Sequence, residues 1–131
     1  MSPTRVSLRP ITRSEGAGRR RIAEKYLEVA EIATTEDGAA INVAVGIAVL
    51  AGIAASDAIC AAALGERYAG QDHAAAVRVL KRVDAQLASK LGRLVDMKPS
   101  SHYGDTLLTP RDRDRAIKAA RELVQAAKDR I

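Results

Sequence analysis

The segment from Ala39 to Leu64 is the longest apolar stretch of the chain, and it constrains the fold more than any other feature. It is alanine-rich and apolar nearly all round over residues 43–55. A membrane-spanning helix needs about 20 mainly apolar residues, whereas Asn42 and Asp57 bracket only fourteen here. A helix that is apolar on every side is also typical of the centre of a bundle. We therefore expect a core helix surrounded by other helices, and no membrane partner.

The composition of the chain supports an all-α fold. Of the 131 residues, 47% are hydrophobic, yet there is no Phe or Trp and there are only three tyrosines. Strands draw on β-branched and aromatic residues, whereas alanine has the highest helix propensity. A chain of this length is about one domain. The composition therefore predicts one all-α domain of closely packed helices.

Two features of the sequence indicate the cellular compartment of the protein. The single cysteine, Cys60, can form no internal disulfide and lies in the apolar segment, so we expect a buried thiol. The basic residues at the start are not followed by the apolar stretch that a secretory signal requires. Both features favour a cytoplasmic protein.

Helical periodicity recurs outside the apolar segment. With that segment, the predicted helices span residues 19–34, 39–64, 73–96 and 110–128. One apolar face of the first helix carries Ile22, Tyr26, Val29, Ala30 and Ala33. Gly65 is placed to end the second helix, Asp72 to cap the third and Thr109 to cap the fourth. Four helices with short connections predict an antiparallel four-helix bundle.

Positive charge is concentrated at the start of the chain. Residues 1–25 contain seven basic and two acidic residues, a balance of +5 that equals the net charge of the whole protein. We expect residues 1–18 to form a mobile basic arm and residues 19–131 to form the bundle domain. Such an arm is attracted to phosphate backbones. The alternative is a tail that only keeps the protein in solution.

Six arginines are the candidate nucleic-acid-binding residues. They are Arg19, Arg20 and Arg21 at the start of the first predicted helix, and Arg111, Arg113 and Arg115 in the first turns of the last. Each group would place several cations on a short stretch of helix, where phosphates could bind.

The sequence lacks the common catalytic and metal-binding motifs. It has no glycine-rich phosphate loop, no Cys/His set with metal-ligand spacing and no serine nucleophile motif, so we expect no metal and no cofactor. Asp57 interrupts the apolar helix and must find hydrogen bonds, a cation or a raised pKa. We expect a buried structural carboxylate paired with a loop or with an arginine across the bundle; the alternative is a catalytic carboxylate. His73 is expected at the surface near a helix cap.

The stretch MKPSSHYGD, residues 97–105, holds the main candidate for chemistry, His102. We expect this stretch to be a loop between the last two helices. Histidine can transfer protons near neutral pH without special tuning. Arg93 and Lys98 precede it, and Tyr103 follows, so this region could bind a phosphate and move a proton. The alternative is a packed or capping loop histidine.

Three pieces of the sequence, AGIAASDA, LGERYAGQDHAAAV and KPSSHYG, together resemble the HEPN superfamily, and most closely its small actinobacterial members. The resemblance covers most of residues 26–127. It implies an all-α bundle, usually a homodimer, in a superfamily of RNase toxins, nucleotidyltransferase partners and non-catalytic nucleic-acid- or protein-binding modules. Catalytic members carry an arginine shortly before a histidine and use both to cleave RNA without a metal.

The spacing of the basic residues departs from that catalytic motif. Eight residues separate Arg93 from His102, more than in the motif, and three separate Lys98 from His102, fewer than in the motif. We therefore expect a HEPN-like dimer that is a non-catalytic module in a toxin–antitoxin or defence context. Its partners would be RNA, an antitoxin or a nucleotidyltransferase. The alternatives are a metal-independent ribonuclease, with His102, Lys98, Tyr103 and Arg93 as catalytic residues, and a purely structural protein-binding dimer.

Overall fold

The computed structural model describes residues 7–131, and this part of the chain is almost entirely helical. It contains five α-helices and one two-stranded antiparallel sheet. The helices are α1 (Arg13–Ala33), α2 (Ala39–Leu64), α3 (His73–Lys81), α4 (Ala85–Tyr103) and α5 (Pro110–Arg130), and the strands are β1 (Leu8–Pro10) and β2 (Glu66–Tyr68). The predicted all-α class is confirmed.

Helix α2 is the core helix and packs against α1, α4 and α5. It has the bounds that the sequence predicts. Gly65 ends it with a φ of 65° and donates its N–H to the carbonyl of Ala61, a conformation that glycine adopts without steric cost. Among the described helices α2 alone is long and apolar enough to cross a membrane, but 72% of its most apolar window is buried inside the protein. That burial is consistent with the core helix of a soluble bundle.

Small residues on α2 let its neighbours approach closely. A Cβ placed at Gly52 would lie 2.5 Å from Leu94 Cδ1 of α4 and 3.3 Å from Leu123 Cδ1 of α5. Both leucines are fully buried. The space around Gly52 is therefore already filled, as expected for an interior packed like an organic crystal.

Helix α1 begins at Arg13 rather than at residue 19. Thr12 caps it: Thr12 Oγ1 accepts the N–H of Glu15, and Glu15 Oε1 accepts the N–H of Thr12. This reciprocal capping box satisfies two backbone donors that would otherwise lack partners. Over residues 7–18, the predicted mobile arm therefore consists of β1, which pairs with β2, and the first turns of α1. Residues 1–6 of that arm lie outside the described residues.

Helix α1 buries only part of the apolar face that its periodicity predicts. Ala30 of that face is fully buried and Tyr26 packs against the core, whereas Ile22 and Val29 are 43% and 42% exposed. The buried residues of α1 are Gly16, Ala23 and Ala30, one every seven residues or about two helical turns. A Cβ at Gly16 would already meet α2 at 2.6 Å. Small side chains bring α1 close to α2, and Ile22 and Val29 remain at the surface.

The single helix predicted over residues 73–96 is wrong, because two helices occupy this segment. Helix α3 ends at Lys81 and α4 begins at Ala85. The carboxylate of Asp84 accepts two backbone N–H groups from the first turn of α4, at 2.8 Å and 2.9 Å. An aspartate in this position stabilises a new helix start.

Helix α4 also extends beyond its predicted end. It runs to Tyr103 and includes the letters MKPSSHY, so the predicted loop over residues 97–105 is helical for most of its length. Pro99 within it removes one backbone donor, and the helix nevertheless continues for a further turn. Asn42 of α2 fixes the connection that follows, because its Oδ1 accepts the N–H of Leu108 at 2.8 Å.

Gly52→Ala is expected to destabilise the protein, whereas Gly18→Ala in α1 is expected to stabilise it. Alanine is favoured over glycine in a helix by about 1 kcal/mol, and a Cβ at Gly18 would meet no neighbouring atom within 4 Å. At Gly52 the new methyl group meets two buried leucines, and overpacking costs about 1–3 kcal/mol. Urea unfolding followed by circular dichroism measures both variants. A free energy of unfolding for Gly52→Ala equal to that of Gly18→Ala would contradict the close packing.

Candidate functional site

A groove of about 720 Å³ lies between α4 and α5. Apolar side chains alternate in its lining with four cationic and two acidic ones. The lining residues are Lys90, Arg93, Leu94, Asp96 and Met97 of α4, and Arg115, Ala116, Lys118, Ala119 and Glu122 of α5. Arg93 and Arg115 were separate candidates in the sequence, and the structure brings them into one groove.

Most of the positive charge in this groove is not neutralised by the protein. Lys90 Nζ lies 3.2 Å from Glu122 Oε2, which leaves one ion pair within the groove. Arg93, Arg115 and Lys118 form no salt bridge to any residue in the range 7–131. The one remaining acidic side chain of the lining opposes three cations. The excess positive charge attracts phosphate groups.

Helix α5 positions its share of the groove from a well-defined start. As the sequence predicts, Thr109 caps it, and Thr109 Oγ1 accepts the N–H of Asp112 at 3.1 Å. Asp112 Oδ2 accepts the N–H of Thr109 at 2.9 Å, and this hydrogen bond holds the pKa of Asp112 below its ordinary value of 3.8. The cap fixes the residue at which the helix begins, and thereby which side chains of α5 face α4.

The three candidate arginines of α5 have different surroundings. Arg111 is exposed, and Arg115 lies one turn further along the same side of the helix, in the groove. Arg113 lies on another side, with Nη1 3.4 Å from Asp37 and Nε 3.3 Å from Asp114. Arg113 therefore ties α5 to the connection between α1 and α2, while Arg111 and Arg115 have their charges available for a ligand.

The three candidate arginines of α1 are mostly engaged within the fold. Arg19 Nε donates to Asp57 Oδ2 at 3.0 Å, and Arg20 Nη1 donates to Glu24 Oε2 at 3.2 Å. Arg21 is exposed and forms no salt bridge with the residues that the structure describes. Of the three, only Arg21 offers an unpaired charge at the surface.

Asp57 is buried between two arginines, with only 8% of its surface exposed. Arg19 lies 3.0 Å away and Arg67 Nη1 lies 3.9 Å away. Burial raises the pKa of Asp57 above its ordinary value of 3.8, and the charges of the two arginines act in the opposite direction. A cation across the bundle is the partner that the sequence analysis expects for this carboxylate. The Arg19 contact joins α1 to α2.

Cys60 lies one turn after Asp57 and is buried. Burial raises the pKa of its thiol to about 11, and the nearby Asp57 charge adds to the effect. The thiol is therefore protonated at neutral pH, and thiolate chemistry at this position is suppressed.

Lys98 contacts His73, a pairing that the sequence analysis missed. Lys98 Nζ lies 2.7 Å from His73 Nε2. Because an ammonium group only donates, Nε2 must accept, and the ring is neutral in this contact. Burial and the charge of Lys98 both lower the pKa of His73 below its ordinary value of 6.5. The two residues belong to different helices, 25 positions apart, so no local pattern connects them.

His102 lies in the last turn of α4 and is exposed. Its ring lies over Gly46 of α2: a Cβ placed at Gly46 would be 3.0 Å from His102 Nε2. Lys98 is one turn earlier on the same side of α4. The side chain of Tyr103, the fourth catalytic candidate, lies outside the described part of the structure.

Arg93 and His102 lie on opposite sides of α4. They are nine positions apart on one helix, and at about 100° per residue this separation leaves them roughly half a turn apart. Arg93 faces α5 in the groove, whereas His102 lies against α2. The structure therefore does not bring these two candidate catalytic residues together within one chain.

Comparison with known proteins does not indicate a function for this chain, so the function is inferred from the geometry of the site. No protein-family model and no curated protein matches the chain. In the described range 7–131, no group of three or more His, Cys, Asp or Glu side chains is placed to hold a metal ion. The α4–α5 groove, in which three of the four lining cations form no salt bridge within residues 7–131, is the candidate binding site.

Lys98→Met is expected to raise the pKa of His73, because it removes a positive charge 2.7 Å from the ring. Since burial lowers the folded-state pKa of His73 as well, the pKa should stay below 6.5 in the variant. The chain has only two histidines, so a proton NMR titration follows both rings, and His102→Ala assigns the signals. An unchanged His73 titration would refute the contact.

The same contact predicts a difference in acid stability. Because the folded-state pKa of His73 lies below its unfolded value, the stability that depends on its neutral form is complete above pH 6.5 and is lost as the pH falls through the folded-state pKa. Lys98→Met should lose less of its free energy of unfolding over this pH range than the wild type. Denaturant titrations at several pH values measure the difference.

Proposed function

We propose that this protein is a HEPN-like helical module that binds RNA through phosphate contacts in the α4–α5 groove and does not cleave it. One observation carries the proposal: Arg93, Arg115 and Lys118 line one groove with no internal ion pairs in the described structure. Arg111 adds a fourth available cation on the same side of α5. In this proposal α1, α2, α4 and α5 form the antiparallel four-helix bundle, and α3 is a short additional helix.

The groove favours phosphate recognition over base recognition. Its lining contains no aromatic side chain, and sequence-tolerant binding of single-stranded bases relies on aromatic stacking. Arginine and lysine bind phosphates by charge and hydrogen bonds, and binding of this kind weakens steeply as the salt concentration rises. We therefore expect little dependence on nucleotide sequence and strong dependence on ionic strength.

The arrangement of α4 supports binding without catalysis. Cleavage of RNA by general acid–base chemistry requires a proton-transfer group and a phosphate-binding cation at the same phosphate. Arg93 and His102 lie on opposite sides of the helix, and Lys98 is engaged with His73. A phosphate held by the groove cations would therefore lie on the side of α4 away from His102.

The proposal extends to the setting in which the protein works. We take it to be a cytoplasmic homodimer that acts beside an antitoxin or a nucleotidyltransferase, as the resemblance to HEPN proteins implies. An acidic surface of such a protein would also be attracted to the groove. Competition between RNA and the product of a neighbouring gene, followed by fluorescence anisotropy, distinguishes a shared site from separate sites.

Arg93→Glu and Arg115→Glu are each expected to weaken RNA binding about tenfold or more, because each introduces a repelling charge at a phosphate-binding position. The slope of log affinity against log salt should become shallower by about 0.7 for each phosphate of a single strand that the variant no longer binds. Fluorescence anisotropy with a labelled RNA oligonucleotide, repeated at several salt concentrations, measures both quantities.

Arg78→Glu on α3 is the matched control, because Arg78 is exposed and the change in net charge is the same. It should leave affinity within about twofold of wild type, because Arg78 does not line the groove. Equal weakening by all three variants would show that overall charge, and not the groove, sets the affinity. The absence of any RNA binding by the wild type would leave the purely protein-binding dimer as the better hypothesis.

A metal-independent ribonuclease is the second candidate function, and the placement of Lys98 and His102 on the same side of α4 favours it. The wild type, His102→Ala and His73→Gln are incubated with total RNA in EDTA, and fragments are resolved on a denaturing gel. The binding module predicts the same fragment pattern for all three. Cleavage that is abolished in His102→Ala and kept in His73→Gln would establish the ribonuclease instead.

A further inference from the structure

Helix α1 carries large apolar side chains at the protein surface. Ile22, Val29 and Ile32 are 43%, 42% and 65% exposed. Their spacing of seven and three residues places them on one side of the helix. Single exposed apolar residues are ordinary, but a group of them on one surface marks an interaction site.

Helix α2 carries a further exposed apolar residue beside the end of α1. The contact between Arg19 and Asp57 places the start of α1 beside the end of α2, so the two helices run antiparallel. The end of α1 therefore lies along the start of α2, where Val43 is 56% exposed. We call Ile22, Val29, Ile32 and Val43 the α1–α2 surface.

The charges of α1 run against its own dipole. Within α1, residues 13–25 hold five basic and two acidic residues, whereas residues 26–33 hold two acidic residues and no basic one; Glu36 and Asp37 follow in the turn after the helix. A helix is stabilised by acidic residues at its start and basic ones at its end. Helix α5 follows this rule, with Asp112 in its first turn and Lys128 and Arg130 in its last. The intrinsic stability of α1 therefore does not account for its charge order.

Contacts within the chain account for only part of this order. Two of the acidic residues at the end of α1 and in the following turn pair with arginines of α5. On the outward side, Lys25 and Glu28 pair with each other at 2.7 Å while remaining 70% and 60% exposed. Arg21 and Glu36 are exposed and form no salt bridge within residues 7–131. Along the outward side, Arg21 and Ile22 come first and the Lys25–Glu28 pair follows. Val29 and Ile32 come next, and Glu36 lies in the turn just after the helix.

We infer that the α1–α2 surface is an interface between two copies of this chain, with the two α1 helices antiparallel about a two-fold axis near Glu28 and Val29. Arg21 of each copy then lies near Glu36 of the other, and the exposed apolar side chains are covered. A two-fold interface requires a patch that is complementary to itself, and this charge order provides one. A parallel pairing would place like charges together. The inference does not depend on RNA binding by the α4–α5 groove.

Sedimentation equilibrium or light scattering coupled to size exclusion tests the interface. At about 100 μM, where a dimer with a micromolar Kd is almost fully associated, the wild type should show twice the chain mass of 13.9 kDa. Ile32→Glu and Val43→Glu should give monomers, with helical circular dichroism spectra like that of the wild type. Ala74→Glu, at an exposed residue of α3, a helix that makes no contact with α1, is the control and should remain dimeric.

Charge-reversed variants test the antiparallel arrangement. The pair Arg21→Glu and Lys25→Glu makes the outward side of α1 acidic throughout, and the pair Glu28→Lys and Glu36→Lys makes it basic throughout. Each doubly substituted protein alone should be monomeric, and an equimolar mixture of the two should form a 1:1 dimer. Homodimers of either variant as stable as the wild-type dimer would overturn the antiparallel pairing.

Other results of these experiments would overturn the proposed interface. A monomeric wild type, or a dimer that survives Ile32→Glu, would overturn the α1–α2 interface. Neither result would affect the groove, because RNA titration of Ile32→Glu measures groove binding separately. Flotation of a monomeric wild type with phosphatidylcholine vesicles would assign the apolar surface to a membrane instead of a second copy.

Discussion

Close packing of small side chains around α2 is the constraint on which the rest of the structure depends. The chain has no Phe or Trp, so dispersion contacts form only if the helices approach one another closely. Gly16 on α1 and Gly52 on α2 mark such approaches, with no room for an added Cβ beside a neighbouring helix. Once small residues occupy the side of α1 that meets α2, Ile22 and Val29 must lie elsewhere. The exposed apolar side of α1 follows from the way the core is filled.

The same packing divides the basic residues into two groups. Cations next to a closely packed contact form ion pairs within the protein: Arg19 offsets the buried charge of Asp57, and Arg113 holds the turn before α2 against α5. Cations on the outer sides of α4 and α5, such as Arg93 and Arg115, form no ion pair within the described residues. Counting positive residues along the sequence cannot separate these groups, because the separation depends on which acidic side chain each helix meets.

The sequence predicted features that depend on a single residue type at a single position, such as the end of α2 at Gly65 and the cap of α5 at Thr109. The cap of α1 at Thr12 has the same kind of signal, with a glutamate three residues later, but the arginine-rich start drew the interpretation toward a mobile arm. Asp84 interrupts an apolar periodicity that continues across it, so periodicity alone predicted one helix. The contact of His73 with Lys98 depends on how α3 folds back on α4, which no local pattern contains.

The two proposed surfaces lie on different parts of the bundle, and this separation has a functional consequence. None of the four residues of the α1–α2 surface lines the α4–α5 groove. A dimer formed through that surface would therefore leave the groove open in both copies. Two grooves on one rigid assembly can contact the same RNA strand at two places, which raises the overall affinity without new contacts in either groove. A protein that recognises phosphates weakly and without sequence preference gains most from this arrangement, because the second contact forms at a high effective concentration.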